Sequence, residues 1–429
     1  MNSKLPKVLH PVAGRPMIDY ALQNVAALSP AKTYVVVGNG SKEVISAIGK
    51  KAVPVLQSKR RGTGHAVLQV MPKLKGFQGD VLILYADACL VRSQTLKALR
   101  QFHAYQDATA TLMTAKVEDP FGYGRIVRGK DDAVERIVEE NEATPEEQHI
   151  QEVNGGVYLF KASALAEALL ADKGKKEFYL TDCIQRVLSQ GGKVQALLVP
   201  DSTEALGVNN RKLLAQAHRL LNLRRVADHQ RDGVTFLDPG SVEISPWAVI
   251  GHDTVVEGNV KLLGATLIGE DCRIESGSVL DSAQLGRGVV VKSSRIVESR
   301  LGDGCDAGPY AHIRGGSVLD KYVHVGTNAE IKSSKLASGS KVGHFSYVGD
   351  ATLGKDVNVG AGCVFANYDG KDKHKSVVGD KVFLGSNSTL VAPVTIGAKA
   401  VIGAGAVVTK NVPAGVTVVG VPAKPLKIK

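Results

Sequence analysis

The sequence predicts an α/β layered domain followed by an all-β coil of short parallel strands, on three observations. Near the C-terminus six aliphatic residues stand six apart, Val378, Leu384, Leu390, Ile396, Ile402 and Val408, some followed at once by glycine, as in Val378-Gly379 and Ile396-Gly397. A second run of the same period, Ile250, Val256, Leu262, Ile268, Ile274 and Leu280, begins well upstream. Neither a helix nor an alternating strand has a period of six; a three-sided prism does, with each edge turning one aliphatic side chain inward and each corner made by small or Gly, Asn and Asp residues. The third observation lies in the first half, where β-rich stretches at Thr33 to Val37, Val81 to Tyr85, Ala110 to Ala115 and Val157 to Phe160 alternate with amphipathic segments.

Between the two patterns, Leu213, Leu214, Ala217, Leu220, Leu221 and Val226 recur at helical spacing, and Gly233 follows as a stop signal. This divides the chain into a domain over 1–207, a linker helix over 208–233 and a repeat domain over 234–429. Arg211, Arg219, Arg224 and Arg225 on the helix read as a solvated face.

Composition agrees with this division. The chain has 429 residues, enough for two or three domains, with 44% hydrophobic residues, 46 glycines and only 5% aromatics, which suits repeated corners better than a thick helical core. No apolar run approaches the roughly 18 residues of a spanning helix and the N-terminus has no apolar signal core, so the expected location is the cytoplasm, with no membrane partner. Five scattered cysteines without a C-x-x-C pair argue against a disulfide framework or a zinc site. The formal charge is +11, yet no long Lys/Arg run interleaved with aromatics appears; small phosphorylated substrates fit better than nucleic acid.

Three motifs in the first half point to phosphate chemistry. Leu5-Pro6-Lys7-Val8-Leu9 followed by Ala13-Gly14-Arg15-Pro16-Met17 joins a lysine to a Pro/Gly loop and a helix start. Gln57 precedes Arg61-Gly62-Thr63-Gly64-His65-Ala66, whose glycines let backbone amides approach a base or phosphate. Val81 to Tyr85 reads as a buried strand leading into Ala86-Asp87, and an acidic residue at the C-terminal end of such a strand stands where α/β sheets place ligands and where a hard cation finds oxygen. Each motif taken singly is equally a turn or a helix cap.

In the repeat half, Lys341-Val342-Gly343-His344-Phe345-Ser346-Tyr347-Val348 keeps Val342 and Val348 in the six-residue register, so His344 and Tyr347 must point outward. Histidine exchanges protons near neutrality, so an outward His344 is a candidate general base, or a surface histidine hydrogen-bonded in a turn. The hexads then break at Asn367-Tyr368-Asp369-Gly370, with Lys371, Lys373 and Lys375 following, a polar interruption that a scaffold alone does not require.

In this order the motifs resemble those of sugar-1-phosphate nucleotidyltransferases, and the whole chain is similar to the bacterial family of bifunctional N-acetylglucosamine-1-phosphate uridyltransferases and glucosamine-1-phosphate N-acetyltransferases. The resemblance implies a Rossmann-like nucleotidyltransferase domain followed by a left-handed parallel β-helix of hexapeptide repeats, assembled as a homotrimer. It implies UTP contacts from Lys7, Gln57, Gly62 and Thr63, sugar contacts from Gly124, Glu139, Asn154 and Asn209, and magnesium (Mg2+) held by Asp87 and Asn209. For acetyl transfer it implies His344 as general base and Arg314, Lys332, Tyr347, Asn358 and Lys373 around the phosphate of glucosamine 1-phosphate. Asn367, Tyr368, Ser386 and Ala404 would serve the acetyl-CoA and acetyl site. The pattern departs from the family in lacking the strand and G-x-G-T-R-M loop before Leu5, in Ala86 for glycine, and in Gly155 for threonine. From these departures the expectation is an opened parallel sheet and weakened uridyl transfer beside a well-supported acetyl transfer. Two other readings are a sugar nucleotidyltransferase with a non-catalytic repeat domain, and a non-catalytic scaffold or regulatory subunit; His344 with Asn367-Tyr368 speaks against both.

Overall fold

The computed structural model describes residues 1–38, 42–59, 61–171 and 177–426. The chain forms two compact units, Met1–Leu221 and Asn222–Lys429, and the division falls inside one helix, Arg211–Arg231.

In the first unit a six-stranded sheet is organised around the ten-residue strand Glu152–Lys161. It runs antiparallel to Ala110–Lys116 on one side and to Asp80–Leu84 and Arg125–Arg128 on the other, while Val194–Val199 lies parallel to Ala110–Lys116. Its ladder with Ala110–Lys116 slips between Leu112 and Thr114, opposite Asn154-Gly155-Gly156. Such a bulge bends the strand and re-aims a side chain, here Asn154. Glycines permit it: Gly156 has φ 71°, and a Cβ on Gly155 would come within 2.6 Å of the Met113 methyl and 2.9 Å of its carbonyl oxygen. The methionine thus fills the space that a threonine would need.

Tyr34–Gly38 and Val53–Gln57 form a separate parallel pair, with Gln57 opposite Gly38. No ladder joins this pair to the larger sheet among the described residues. One expectation needs correction: Val81, Leu82, Ile83 and Leu84 are half-buried rather than buried. Among the described residues their strand is hydrogen-bonded along one edge, to Val157–Lys161.

Among the described residues the second unit is a β-helix with faces of twelve, ten and nine strands, parallel throughout except for Lys424–Pro425, which folds back antiparallel to Thr417–Val419. Successive strands of one face are 18 residues apart where three full hexads close a coil, as from Val255 to Arg273. All twelve hexad residues are buried, from Ile250 at 6% exposure to Leu384 and Ile402 at 0%. Each contributes about 1.5–3 kcal/mol by leaving water, which is how two-residue strands hold a fold together. Left-handed corners fall on Asp253, Asp271, Asn259 and Asn387, residue types whose short polar side chains tolerate positive φ.

The Arg211–Arg231 helix serves each unit in turn. Ala217 and Leu221 pack with Val12, Met17 and Tyr20, whereas Val226 joins the core of the β-helix. Asn222 is buried, giving its amide to the Val242 carbonyl at 2.6 Å and accepting the Ile244 amide at 2.8 Å. Arg225 is not simply solvated: it donates to the Ile244 carbonyl at 2.9 Å, so it holds the first coil.

Candidate active sites

At the head of the first unit, Lys7 reaches across from its short helical turn to the Asp87 carboxylate and, at 2.7 Å, to the Asn209 side-chain oxygen. Three residues separated by up to 202 positions thus meet, and each follows directly from its local structure. Lys7 opens a turn after Pro6, Asp87 comes three residues past the end of its strand, and Asn209 comes two before the helix at Arg211. Two hard oxygens converge on one cation, the ammonium of Lys7. That donor set fits a divalent cation of the magnesium type, which takes one or two protein oxygens and completes its shell with water and phosphate. Among the described residues no cluster of three or more His, Cys, Asp or Glu competes for it.

Gln57, Gly62 and Thr63 also come together. The Gln57 amide donates to the Gly62 carbonyl at 3.2 Å, and the Thr63 hydroxyl accepts the Leu180 amide at 3.0 Å. Gly62 lies at φ 93°, and a side chain there would collide with the Phe178 carbonyl, so the glycine is required by both conformation and space. Gly124, Glu139 and Asn154 form a second group: a Cβ on Gly124 would stand 3.5 Å from the Glu139 carboxylate and 3.7 Å from the Asn154 Cβ. Thr181 donates to Glu139 at 3.0 Å, and the Asn154 amide donates to the Tyr158 hydroxyl at 2.6 Å.

Tyr85 and Tyr158 link the two groups, although the sequence marks both only as strand residues. Their rings meet edge to face at 6.3 Å, and the Tyr85 hydroxyl also contacts Thr63. Burial pushes both phenols up, Tyr158 well above its ordinary value, so both stay neutral hydrogen-bonding groups. The position of Tyr85 two residues before Asp87 is the one signal that pointed to it.

On the β-helix, Arg314, Lys332 and Tyr347 project from one face, where Arg314 stands in register with Lys332, and Lys332 with Gly349. Arg314 donates through Nε and Nη2 to one oxygen of Glu330, at 2.8 and 2.6 Å, and Lys332 approaches Asp350 at 3.5 Å. Lys373, from the loop that interrupts the hexads, comes directly against Lys332. Two ammonium groups in contact do not both hold their protons easily: Lys332 keeps its own, while Lys332 beside it pushes Lys373 below the ordinary lysine value. Three basic side chains thus gather at one spot beside only two carboxylates, Glu330 and Asp350.

Tyr347 lies back over Gly349. A Cβ at Gly349 would overlap the Tyr347 hydroxyl and come within 2.7 Å of the Asn367 amide nitrogen. Asn367 is buried and donates to the Tyr347 hydroxyl at 3.4 Å and to Asp350. Beyond it the loop is built on Asp369, which accepts the amides of Lys371 and Asp372 at 2.8 Å each and pairs with His374 at 2.7 Å. His374 and these amides hold the Asp369 carboxyl far below the usual range. Tyr368 is exposed and bonds the Gly370 carbonyl at 2.7 Å.

His344 sits at a corner of the prism and is exposed, as its register predicted. The Thr327 backbone amide donates to its Nδ1 at 3.0 Å, so the neutral ring carries its proton on Nε2. Gly326 makes room for this: a Cβ there would stand 2.8 Å from that nitrogen. Ser386 and Ala404 occupy the same corner of later coils. Backbone bonds run from Gly362 to the His344 carbonyl, from Asn387 to Ala361 and from Gly405 to Ser386, at 2.8, 2.8 and 2.9 Å. His344, Ala361, Ser386 and Ala404 therefore form one column of small-residue corners, rising about 4.8 Å per coil. Asn358 stands apart from the cation cluster, on the neighbouring face beneath Lys341.

Comparison with known proteins gives the same two-part division. The Nucleotidyl transferase family profile matches residues 1–242, the GMPPB C-terminal domain 239–335, and the Hexapeptide repeat of succinyl-transferase 376–410. The chain is 46% identical over 399 residues to the Bifunctional protein GlmU of Enterococcus faecalis, covering 92% of this chain and 87% of the relative. It is 42% identical over 423 residues to that of Streptococcus equi subsp. zooepidemicus, covering 98% and 92%. With that of Listeria monocytogenes serotype 4b it shares 43% over 416 residues, covering 96% and 91%. Likeness that runs unbroken through the nucleotidyltransferase domain and the hexapeptide β-helix means that the chain belongs to the GlmU family and is a bifunctional transferase of UDP-N-acetylglucosamine synthesis.

Proposed function

We propose that the cation cluster on the β-helix face binds the phosphate of glucosamine 1-phosphate and that the corner column at His344 receives acetyl-CoA. The observation that carries this reading is the contact of Lys332 with Lys373 beside Arg314, an arrangement that a bound dianion relieves. With the phosphate fixed there, Tyr347 and Asn367 border the sugar and acetyl groups. The amine attacks the thioester carbonyl, the C–N bond forms, and the C–S bond breaks. His344 takes the amine proton and passes it to the departing thiolate. Because Thr327 engages its Nδ1, the ring releases that amide as it takes the proton. Ser386 and Ala404, two and three coils along, line the path of the coenzyme. Asn358, on the adjoining face, belongs in this scheme to the site of a neighbouring copy in a homotrimer.

In the first unit the product's phosphate oxygen attacks the α-phosphorus of UTP, and the bond to the β-phosphate breaks with release of pyrophosphate. Gln57, Gly62 and Thr63 hold the uridine end, while Gly124, Glu139 and Asn154 hold the sugar. Lys7 neutralises phosphate charge, and Asp87 and Asn209 would hold Mg2+, which would supply electrostatic stabilisation of the polyphosphate. The enzyme is assigned to the cytoplasm; no helix among the described residues is long and apolar enough to cross a membrane.

Separate assays of the two half-reactions test this. His344→Ala is expected to lower acetyl transfer by at least about 100-fold and to leave uridyl transfer unchanged. Retention of acetyl transfer in that variant would instead favour a non-catalytic repeat domain.

A further inference from the structure

One carboxylate near the acetyl site is not among the ligand-contacting residues, yet it touches both Lys332 and Asn367. Asp350 follows Gly349 at the corner where the chain leaves the face that carries Arg314 and Lys332. Its backbone amide donates to the Lys332 carbonyl at 3.0 Å, which ties it to the preceding coil. Its carboxylate accepts the side-chain amide of Asn367 and lies 3.5 Å from the Lys332 ammonium. Its backbone carbonyl accepts the Ser376 amide at 3.3 Å. Asn367 and Ser376 are the two ends of the loop that breaks the hexads, so one residue pins both.

The chemistry of the pair decides an orientation. An ionised carboxylate only accepts, so the Asn367 NH2 must face Asp350, and the Asn367 carbonyl oxygen must turn the other way. We infer that Asp350 is a positioning residue for acetyl transfer, orienting Asn367 so that it offers an acceptor to a ligand N–H and fixing the loop that carries Lys373. This rests on the reading of the cluster as the acetyl-transfer site. It also assigns a cost: the carboxylate beside Lys332 offsets part of the positive charge that draws the phosphate, so a residue retained only for phosphate binding would not be an aspartate.

Asp350 lies at φ 51°, which asparagine and glycine both adopt, so Asp350→Asn and Asp350→Gly test the side chain without forcing the backbone. Acetyl-transfer kinetics with glucosamine 1-phosphate and acetyl-CoA are expected to show kcat reduced by about 10- to 100-fold in both variants. KM for glucosamine 1-phosphate should change much less than kcat, because the counter-charge that Lys332 loses offsets the looser hold on Lys373. In the substrate-free protein, hydrogen exchange of the 367–375 amides should rise by about tenfold in Asp350→Gly. The denaturant midpoint of the β-helix unit in the same preparations reports that the variants are folded. A raised KM with unaltered kcat, or exchange at the parent rate in Asp350→Gly, would overturn the inference. The two failures separate cleanly. Absence of acetyl transfer in the parent protein removes the functional reading of the cluster, while the exchange measurement still decides whether Asp350 anchors the loop.

Discussion

At the scale of single residues, the Lys332 and Lys373 contact has a consequence for pH. In the free protein Lys332 beside it holds Lys373 below the ordinary lysine value. A dianionic phosphate set between them raises that value again, so binding takes up a proton. The sign follows: affinity for glucosamine 1-phosphate is complete below the free-state value of Lys373 and is lost as pH rises through the bound-state value. We predict that KM for glucosamine 1-phosphate, measured at saturating acetyl-CoA, climbs with increasing alkalinity. In Lys373→Met the climb should flatten from a weaker starting affinity. A parent KM independent of pH would mean that the lysines do not meet the phosphate.

At the scale of elements, the hexad strand is only two or three residues long and depends on its one inward side chain. Ile402 is fully buried in a strand paired on both sides, by Phe383-Leu384 and by Thr417-Val418. Ile402→Ala should cost about 2–5 kcal/mol in the β-helix, read as a shift of the denaturant midpoint. The period of six makes such residues plain in the sequence, because inward direction is dictated by register alone, and the same logic correctly turns His344 outward. Register cannot say which coils bring distant residues together. Asp350 and Asn367 are 17 positions apart and meet only because one coil stacks on the next. Tyr158 and Tyr85 meet across a ladder whose partner strand could not be read from either segment. The half-buried state of Val81, Leu82, Ile83 and Leu84 is also hidden, since an apolar run states what a strand can bury and not how many neighbours it acquires.

At the scale of the whole molecule, two units with separate hydrophobic cores share one helix. Calorimetry should therefore resolve two unfolding transitions, and Ile402→Ala should move one of them and leave the other in place. A single transition displaced as a whole would show that the units unfold as one. The corner column on the β-helix has a further meaning. His344, Ser386 and Ala404 occupy equivalent corners, so the separation between the reacting end and the coenzyme path is counted in whole coils. Two coils are about 9–10 Å and three about 14 Å, with no intermediate setting available to the backbone. The prism is thus a graduated rule as much as a support. Lengthening or shortening it by one turn would change the reach of an acyl carrier in a single discrete step, which is how a common scaffold can be refitted to thioesters of different length without redesigning its chemistry.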